Sequence, residues 1–335
     1  GGPESLSKLV LRPEDGIEGV TAYLQSLDSR KTFQDVFQDW LVANYLDSQD
    51  VGRYTYEGLN VSVSPTNTIL EHGLHSGTVG QYAGEYIEVR LDAGDALVSF
   101  QGQTETPLLP TSIYSGSYCW WGNRGDSIDS TLTTSIDLTR VSEATLNFQV
   151  WYAIEESWDY AYVEVSSDGG KTWEILRGSL ASPKNPFGLS FGPGYTGQSD
   201  GWLEDSVDLT PYTGMEVLLR FEYVTDDASN ENGICIDDIS VPEIDYSDDA
   251  EDDGSWDALG FIRTNNRVPQ DYLVQIIEMG EVITIRNMPL DQDRSGSLIL
   301  RGFGAGLERA VVIIAPIAPK TTQSSSYVLS VEPVP

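Results

Sequence analysis

Carboxylates in predicted loops and at strand ends are the residues of this sequence that most readily suggest chemistry. Seven of them form our candidate set: Asp126, Asp129, Glu155, Glu156, Asp159, Asp237 and Asp238. Calcium prefers about six to eight oxygen ligands, and neighbouring loops can assemble such a shell. We therefore predict a structural calcium site built from these residues, while the alternative for any one of them is a solvated surface carboxylate.

Further acidic residues offer a second calcium site as an alternative. Asp226, Asp227 and Asn230 lie together in one predicted loop, and residues 245–253 form an acidic run. Clustered acids are more often simply solvated than bound to metal. We expect residues 247–254 to form a linker.

The histidines do not predict a catalytic centre. A zinc peptidase of the H-E-x-x-H type needs two imidazoles on one helix face with a glutamate between them. His72 and His75 are instead three residues apart around Gly73, and Glu71 lies outside the pair. The sequence also lacks a G-x-S-x-G motif, a glycine-rich phosphate loop and a C-x-x-C pair. We predict no catalytic residues in this chain; the alternative is a hydrolase that depends on His72.

The charge of the chain restricts its partners. Fifty-two acidic residues stand against 19 basic ones, which gives a net charge of -33. Such a charge repels nucleic acid and anionic membrane surfaces, and bound calcium would offset part of it. No apolar run approaches the roughly 20 residues that span a bilayer, and Gly1-Gly2-Pro3 does not resemble a secretion signal. We interpret the chain as a mature protein or a fragment.

The hydrophobic pattern predicts a short helical segment followed by strands. Residues 13–46 carry apolar residues at helical spacing, and Phe33, Phe37, Trp40 and Tyr45 form a stripe that needs a covering surface. After Tyr56 the pattern changes to short alternating runs between turn signals. A jelly roll is predicted from five strands: 145–152, 160–166, 172–176, 217–224 and 234–241.

The remaining strand candidates predict a second sandwich. Five lie near the C-terminus, and 86–90 and 96–101 precede the jelly roll, which suggests a discontinuous domain. We expect a helical segment at 1–60, a sandwich from 80–111 with 256–335, and a jelly roll at 112–246.

Several motifs resemble the immune inhibitor A family of secreted metallopeptidases. They are Trp120-Trp121-Gly122-Asn123, the stretch from Ile154 to Trp173, Gly201-Trp202, the stretch from Leu219 to Tyr223, and the stretch from Gly233 to Ile239. Residues 39–46 resemble a late helix of the peptidase region, and residues 269–277 resemble the C-terminal β domain. The family's H-E-x-x-H signature is absent from these 335 residues.

The resemblance implies a mainly β fold: a jelly-roll sandwich of the MAM or concanavalin type, an immunoglobulin-like sandwich and a short N-terminal helical segment that ends a peptidase-like domain. It also implies that the first and last jelly-roll segments are neighbours, so that the Asp126 loop would meet Asp237-Asp238. Cys119 and Cys235 flank those segments and would form a disulfide, which would support secretion. Two buried free thiols are the alternative.

Two functions follow from this interpretation. The first is a noncatalytic C-terminal region of a secreted or cell-surface metallopeptidase, with structural calcium here and zinc confined to an upstream domain. Its β domains would stabilise the fold, position a protein or glycan substrate, or hold a surface. The alternative is a free-standing carbohydrate-binding or adhesion module that uses Trp158 or Trp202, because fold alone does not determine function.

Overall fold

The computed structural model describes residues 3–14, 16–27, 29–47, 52–56, 58–252 and 254–334. Within these ranges the chain forms helices α1 (Pro3–Val10), α2 (Gly16–Ser26) and α3 (Phe33–Leu46), followed by strands β1 (Asn67–Ile69), β2 (Gly73–Val79), β3 (Glu85–Val89), β4 (Gly94–Gly102) and β5 (Glu105–Pro107). The middle strands are β6 (Cys119–Trp121), β7 (Asp129–Asp137), β8 (Thr145–Ile154), β9 (Tyr160–Ser166), β10 (Glu174–Leu176), β11 (Gly197–Gln198), β12 (Leu203–Asp208), β13 (Glu216–Val224), β14 (Gly233–Val241), β15 (Tyr246–Asp248), β16 (Asp257–Leu259) and β17 (Ile262–Thr264). The last strands are β18 (Arg267–Pro269), β19 (Tyr272–Gly280), β20 (Thr284–Asn287), β21 (Ser295–Phe303), β22 (Leu307–Pro316) and β23 (Ser325–Pro333).

The chain divides into two compact units. One comprises residues 1–108 and 268–335, and the other comprises residues 109–267. The predicted fold class, mainly β with a jelly roll, a second sandwich and a short helical segment, is confirmed. No helix in the described part of the chain is long and apolar enough to cross a membrane.

The unit formed by residues 109–267 is the jelly roll. One sheet has the order β10-β9-β13-β7-β16, and the other has β11-β8-β14-β6-β17, with β12 and β15 at its edges. Strand β13 shows why these segments form a sandwich: Val217, Leu219, Phe221 and Tyr223 are buried, while the residues between them are partly exposed. This period of two places one face of the strand in the core.

The predicted domain boundary near residue 256 is wrong. Residues 256–267 were expected in the second sandwich, but β16 pairs with β7 and β17 pairs with β6. Trp256 and Phe261 are buried in the jelly-roll core. The acidic stretch before them had suggested a linker, whereas β15 within it pairs with β14.

Nine strands of the other unit form one continuous sheet, which folds over its own core to give the second sandwich, and α3 packs on an outer face. Strand β22 pairs with β3 on one side and β19 on the other, and β4 pairs with β21 and β23. Alternation along β3 places Ile87 and Val89 in the core that β3 shares with β4, β22 and β23, and Tyr86 on the opposite face.

The apolar stripe of α3 packs on this outer sheet face. Phe37, Leu41, Val42 and Leu46 are buried with Tyr86 and with residues of β19 and β22. The predicted stripe is therefore covered within the unit, although Trp40 remains 48% exposed. Helix α2 begins at Gly16, three residues after the start of the predicted helical stretch 13–46, and α1 was not predicted.

Candidate metal centre

Three carboxylates meet at one end of the jelly roll. Glu155 and Asp159 lie on the turn between β8 and β9, and Asp226 follows the end of β13. Their ligand oxygens all lie within 4.8 Å of one another. The sheet register explains the meeting, because β9 and β13 are antiparallel neighbours in which Tyr160 pairs with Val224. The residues just before Tyr160 and just after Val224 must therefore lie side by side.

Asp159 is the buried member of this carboxylate group. Its side chain is inaccessible to solvent, and its Oδ1 accepts a hydrogen bond of 2.8 Å from the backbone amide of Asp226. Its Oδ2 is buried without a hydrogen-bond partner. Burial raises the pKa of Asp159 to about 6 against the lowering effect of the Asp226 amide, and the carboxylates of Asp226 and Glu155 act in the same direction as burial. A buried anionic oxygen without a partner is costly unless a cation compensates it.

Tyr223 and Glu155, which interact electrostatically with Asp159 or with the same neighbouring carboxylates, also have raised pKa values. The hydroxyl of Tyr223 is also buried without a partner, and the charge of Asp159 adds to burial in raising the pKa of Tyr223. Burial likewise raises the pKa of Glu155, with further contributions from Asp226 and Glu231. The electrostatics of this end of the jelly roll therefore favour a positive ion.

The turn that carries Glu155 and Asp159 has a well-defined conformation. The amides of Trp158 and Asp159 both donate to the carbonyl of Glu155, at 3.3 and 3.2 Å. Ser157 adopts a left-handed conformation with φ of 70°, and its amide donates to the hydroxyl of Thr196 at 2.7 Å. The two carboxylates are thus held on a tight turn that is anchored to the next loop.

Three further predicted ligands, Asp126, Glu156 and Asp129, lie on this turn or on neighbouring segments. Asp126 is exposed, and its Oδ1 accepts from the side-chain amide of Asn230 at 2.6 Å. Its charge also contributes to the raised pKa of Asp159. Glu156 is exposed on the same turn, 3.9 Å from the ammonium of Lys184, and Asp129 is exposed at the start of β7.

The expected meeting of the Asp126 loop with Asp237-Asp238 does not occur. Strands β6 and β14 are antiparallel, with Trp121 opposite Cys235. Residues after Trp121 therefore run towards the start of β14, away from Asp237. The sequence suggested neighbouring strands but could not supply their direction.

Asp237 and Asp238 form a separate acidic group near Ser115. Asp237 is fully buried and accepts from the amides of Ser115 and Asp238, at 3.2 and 2.9 Å, while Asp238 accepts from the hydroxyl of Ser115 at 2.7 Å. Burial raises the pKa of Asp237 to about 7. Both oxygens of Asp237 thus have donors, in contrast to Asp159.

The sequence analysis assigned Asp226 to the wrong group of acidic residues. The sequence placed it with Asp227 and Asn230 in a second site, whereas its carboxylate joins Glu155 and Asp159. The signal that could have identified it is the pairing of the strands that end at Val224 and begin at Tyr160. Asp227 is exposed, and Asp253 of the acidic run lies outside the described residues.

The two cysteines are neighbours, as the resemblance implied. Both are buried free thiols on β6 and β14, and their sulfur atoms lie 3.0 Å apart. Burial raises the pKa of Cys235 well above its usual range, and the Cys119 thiol acts in the same direction. The predicted disulfide bond itself is not formed in this structure.

The histidines do not belong to a group of metal ligands among the described residues. His75 lies on β2, where its Nδ1 is 3.0 Å from the side-chain nitrogen of Asn67, and its ring packs near Tyr327. His72 is exposed in the preceding turn. Across the same described ranges, Glu155, Asp159 and Asp226 are the one set of three potential ligands that converge this closely.

The unit formed by residues 109–267 is thus a jelly roll with three converging carboxylates at one end. A sequence profile described as "Immune inhibitor A-like, MAM domain" matches residues 97–266, just over half of the chain. The chain therefore belongs to this family, and the suspected resemblance is confirmed.

Relatives extend the similarity beyond the jelly roll. The chain is 25% identical over 295 residues to "Immune inhibitor A" of Bacillus thuringiensis subsp. alesti, which covers 78% of this chain and 40% of that protein. It is 32% identical over 152 residues to "Pre-pro-metalloprotease PrtV" of Vibrio cholerae, covering 44% of this chain and 16% of that protein. This chain thus spans less than half of either relative. A structural match to infectious bursal disease virus, with 10% identity and a TM-score of 0.15, carries no argument.

Proposed function

We propose that this chain is the noncatalytic C-terminal region of a secreted metallopeptidase of the immune inhibitor A type, and that bound calcium stabilises its jelly roll. Two observations carry the metal proposal: carboxylate oxygens of Glu155, Asp159 and Asp226 converge within 4.8 Å, and Oδ2 of Asp159 is buried without a hydrogen-bond partner. The similarity to two relatives, one named a metalloprotease, supports the peptidase context.

The chemistry of the ligands favours calcium over zinc. All three converging groups are carboxylates, and zinc sites normally use cysteine sulfur or histidine nitrogen. Calcium accepts an all-oxygen shell of about six to eight ligands, so backbone carbonyls and water would complete the coordination that three carboxylates begin. Magnesium demands a stricter octahedron and retains more of its water, which suits this buried group less well.

Calcium would stabilise the jelly roll by joining two distant segments. The turn at Glu155 and Asp159 and the loop at Asp226 adjoin the paired strands β9 and β13, and a hydrogen bond links Asp159 to Asp226. An ion shared by their carboxylates would replace repulsion between like charges with attraction to a common centre. A ligand that binds the folded state alone, at about 100 times its Kd, adds about 2.7 kcal/mol to the free energy of unfolding.

In this proposal the region stabilises the peptidase or positions its substrate. The chain lacks H-E-x-x-H, so hydrolysis would require residues outside these 335, with zinc held there. The β units would then stabilise the peptidase or present a protein or glycan substrate to it. Secretion to the medium or cell surface would also allow the adjacent Cys119 and Cys235 thiols to close into a disulfide.

Thermal unfolding with and without calcium tests this proposal. The chain should melt at a higher temperature in millimolar calcium than in EDTA, and magnesium should reproduce little of the increase. Asp159→Asn should abolish the calcium-dependent increase. Asp227→Asn makes the same charge change at an exposed neighbouring position and should retain it. The purified chain should not cleave casein with or without zinc; cleavage lost on mutation of His72 would contradict the noncatalytic role.

A further inference from the structure

An exposed pair of stacked aromatic rings lies on the loops of the jelly roll. Trp158 and Phe187 have ring centroids 4.5 Å apart and planes inclined by 23°. Their side chains are 41% and 56% exposed. Phe191, on the same loop as Phe187, is 75% exposed. Apolar surface concentrated in this way on a soluble protein commonly marks an interaction site.

Local hydrogen bonds hold this pair in place. Trp158 lies on the tight turn between Glu155 and Asp159, and the loop of Phe187 is tied to β9 by a bond of 3.1 Å from the Tyr160 hydroxyl to the carbonyl of Lys184. Within that loop, Asn185 and Ser190 exchange two hydrogen bonds of 3.0 Å. Because the two rings are positioned without a ligand, binding would require little further ordering.

The shape and the charge of the surroundings limit what can bind. The two rings stack face to face, so each covers one face of its partner and leaves a flat outer face for a ligand, whereas peptides are usually recognised in a groove or at a sheet edge. The net charge of -33 and the carboxylates of Glu155 and Glu156 disfavour an anionic ligand. Lys184, three residues before Phe187, and Glu156, two residues before Trp158, lie 3.9 Å apart with side chains 72% and 69% exposed, which leaves both able to hydrogen-bond hydroxyl groups.

We propose that the Trp158–Phe187 pair is a binding platform for an uncharged pyranose glycan. One face of a pyranose ring carries C–H groups that stack on the negative face of an aromatic ring, and its rim carries hydroxyls that both donate and accept hydrogen bonds. An outer face of the stacked Trp158–Phe187 pair supplies the first interaction, and Glu156 and Lys184 supply the second. The glycan would contact the aromatic rings and not the carboxylate oxygens of the proposed metal centre. The glycan proposal therefore does not require that calcium occupy the metal centre.

Titration with defined oligosaccharides tests the platform. The probes are hexasaccharides of β1,4-linked glucose, N-acetylglucosamine, mannose and xylose, added in turn to the full chain in a calcium-containing buffer. At least one should bind, and Trp158→Ala and Phe187→Ala should each weaken that binding at least tenfold. Trp158→Phe retains an aromatic face and should lose less. Tyr114→Ala removes another exposed aromatic ring of the same unit, 47% exposed, and should leave binding unchanged.

Several outcomes would overturn the platform. The proposal is wrong if none of the four hexasaccharides binds, or if Trp158→Ala binds sugar as well as the native chain and melts at the same temperature. It is also wrong if Trp158 is needed for attachment to phosphatidylcholine vesicles or to a second copy of the chain and not for sugar binding. Melting curves of each variant in calcium separate this result from the metal proposal, because loss of sugar binding with an intact calcium-dependent melting increase concerns the platform alone.

Discussion

The backbone amide of Asp226 donates a hydrogen bond to Oδ1 of Asp159 across 2.8 Å, while Oδ2 of the same carboxylate is buried without a partner. This hydrogen bond links two segments that are 67 residues apart in the chain. The carboxylate of Asp159 also converges with those of Glu155 and Asp226, whose ligand oxygens lie within 4.8 Å of one another. This division between a satisfied and an unsatisfied oxygen distinguishes Asp159 from Asp237, whose two oxygens both accept hydrogen bonds.

Trp158 should report calcium binding by its fluorescence. It lies between two of the proposed ligands, Glu155 and Asp159, and is partly exposed, so ordering of the turn by calcium should change its emission. Trp158→Phe should lose this change while keeping the calcium-dependent increase in melting temperature. Trp40→Phe, in the other unit, should keep both. A fluorescence change that survives in Trp158→Phe would place the calcium response elsewhere.

The burial of Asp237 should make the stability of the chain depend on pH. Its pKa is raised from 3.8 to about 7, so the folded state binds more protons than the unfolded state between about pH 4 and 7. The stabilising contribution of the protonated carboxyl is complete below about pH 4 and is lost as pH rises through 7. Urea unfolding in EDTA should therefore show that Asp237→Asn loses less stability across this window than the native chain does.

The control for this pH dependence is Asp168. Hydrogen bonds from the amide and hydroxyl of Thr172 lower its pKa from 3.8 to about 2, so its carboxyl is ionised in both the folded and the unfolded state above about pH 5. Asp168→Asn should therefore leave the pH dependence of the free energy of unfolding unchanged between about pH 5 and 7. If the free energy of unfolding changes equally with pH in the native chain and in Asp237→Asn, the pKa of Asp237 is not raised by folding.

Oxidation should join Cys119 to Cys235. The sulfur atoms are 3.0 Å apart and the residues are 116 positions apart in sequence, so a bond would close a long loop in the unfolded chain. Oxidised glutathione should accept the two electrons, remove both free thiols and lower the mass of the chain by about two hydrogens. The free energy of unfolding should rise by about 2–4 kcal/mol.

The matched control for oxidation is the double variant Cys119→Ala, Cys235→Ala. Its unfolding should not respond to glutathione or to a reducing agent. If both thiols of the oxidised native chain still react with a thiol reagent after denaturation, the disulfide proposal is wrong.

Leu41 should be required for the attachment of α3 to the sandwich. Its side chain is 1% exposed in the cluster that contains Tyr86, whose hydroxyl donates to the Leu41 carbonyl at 2.8 Å. Leu41→Ala should lower the free energy of unfolding by about 2–5 kcal/mol in a urea titration. Trp40→Ala removes a larger but half-exposed side chain and should cost less. Equal costs would contradict this packing.

The sequence predicted those features of the fold that depend on local pattern. Alternation marked the strand from Tyr160 to Ser166 with its observed ends, and helical spacing located α3. The direction and register of strand pairs are not local properties, which is why Asp226 was assigned to the wrong group and Asp237 was expected near Asp126. The cysteine contact was anticipated from a family resemblance, and residues 256–267 were misplaced because an acidic stretch resembled a linker.

Calorimetric titration of calcium tests the central proposal most directly. We expect the native chain, freed of metal with EDTA and dialysed, to bind calcium at a site that Asp159→Asn eliminates and Asp227→Asn preserves. Calcium heats that are absent from the native chain, or unchanged in Asp159→Asn, would contradict a calcium-stabilised jelly roll centred on Asp159.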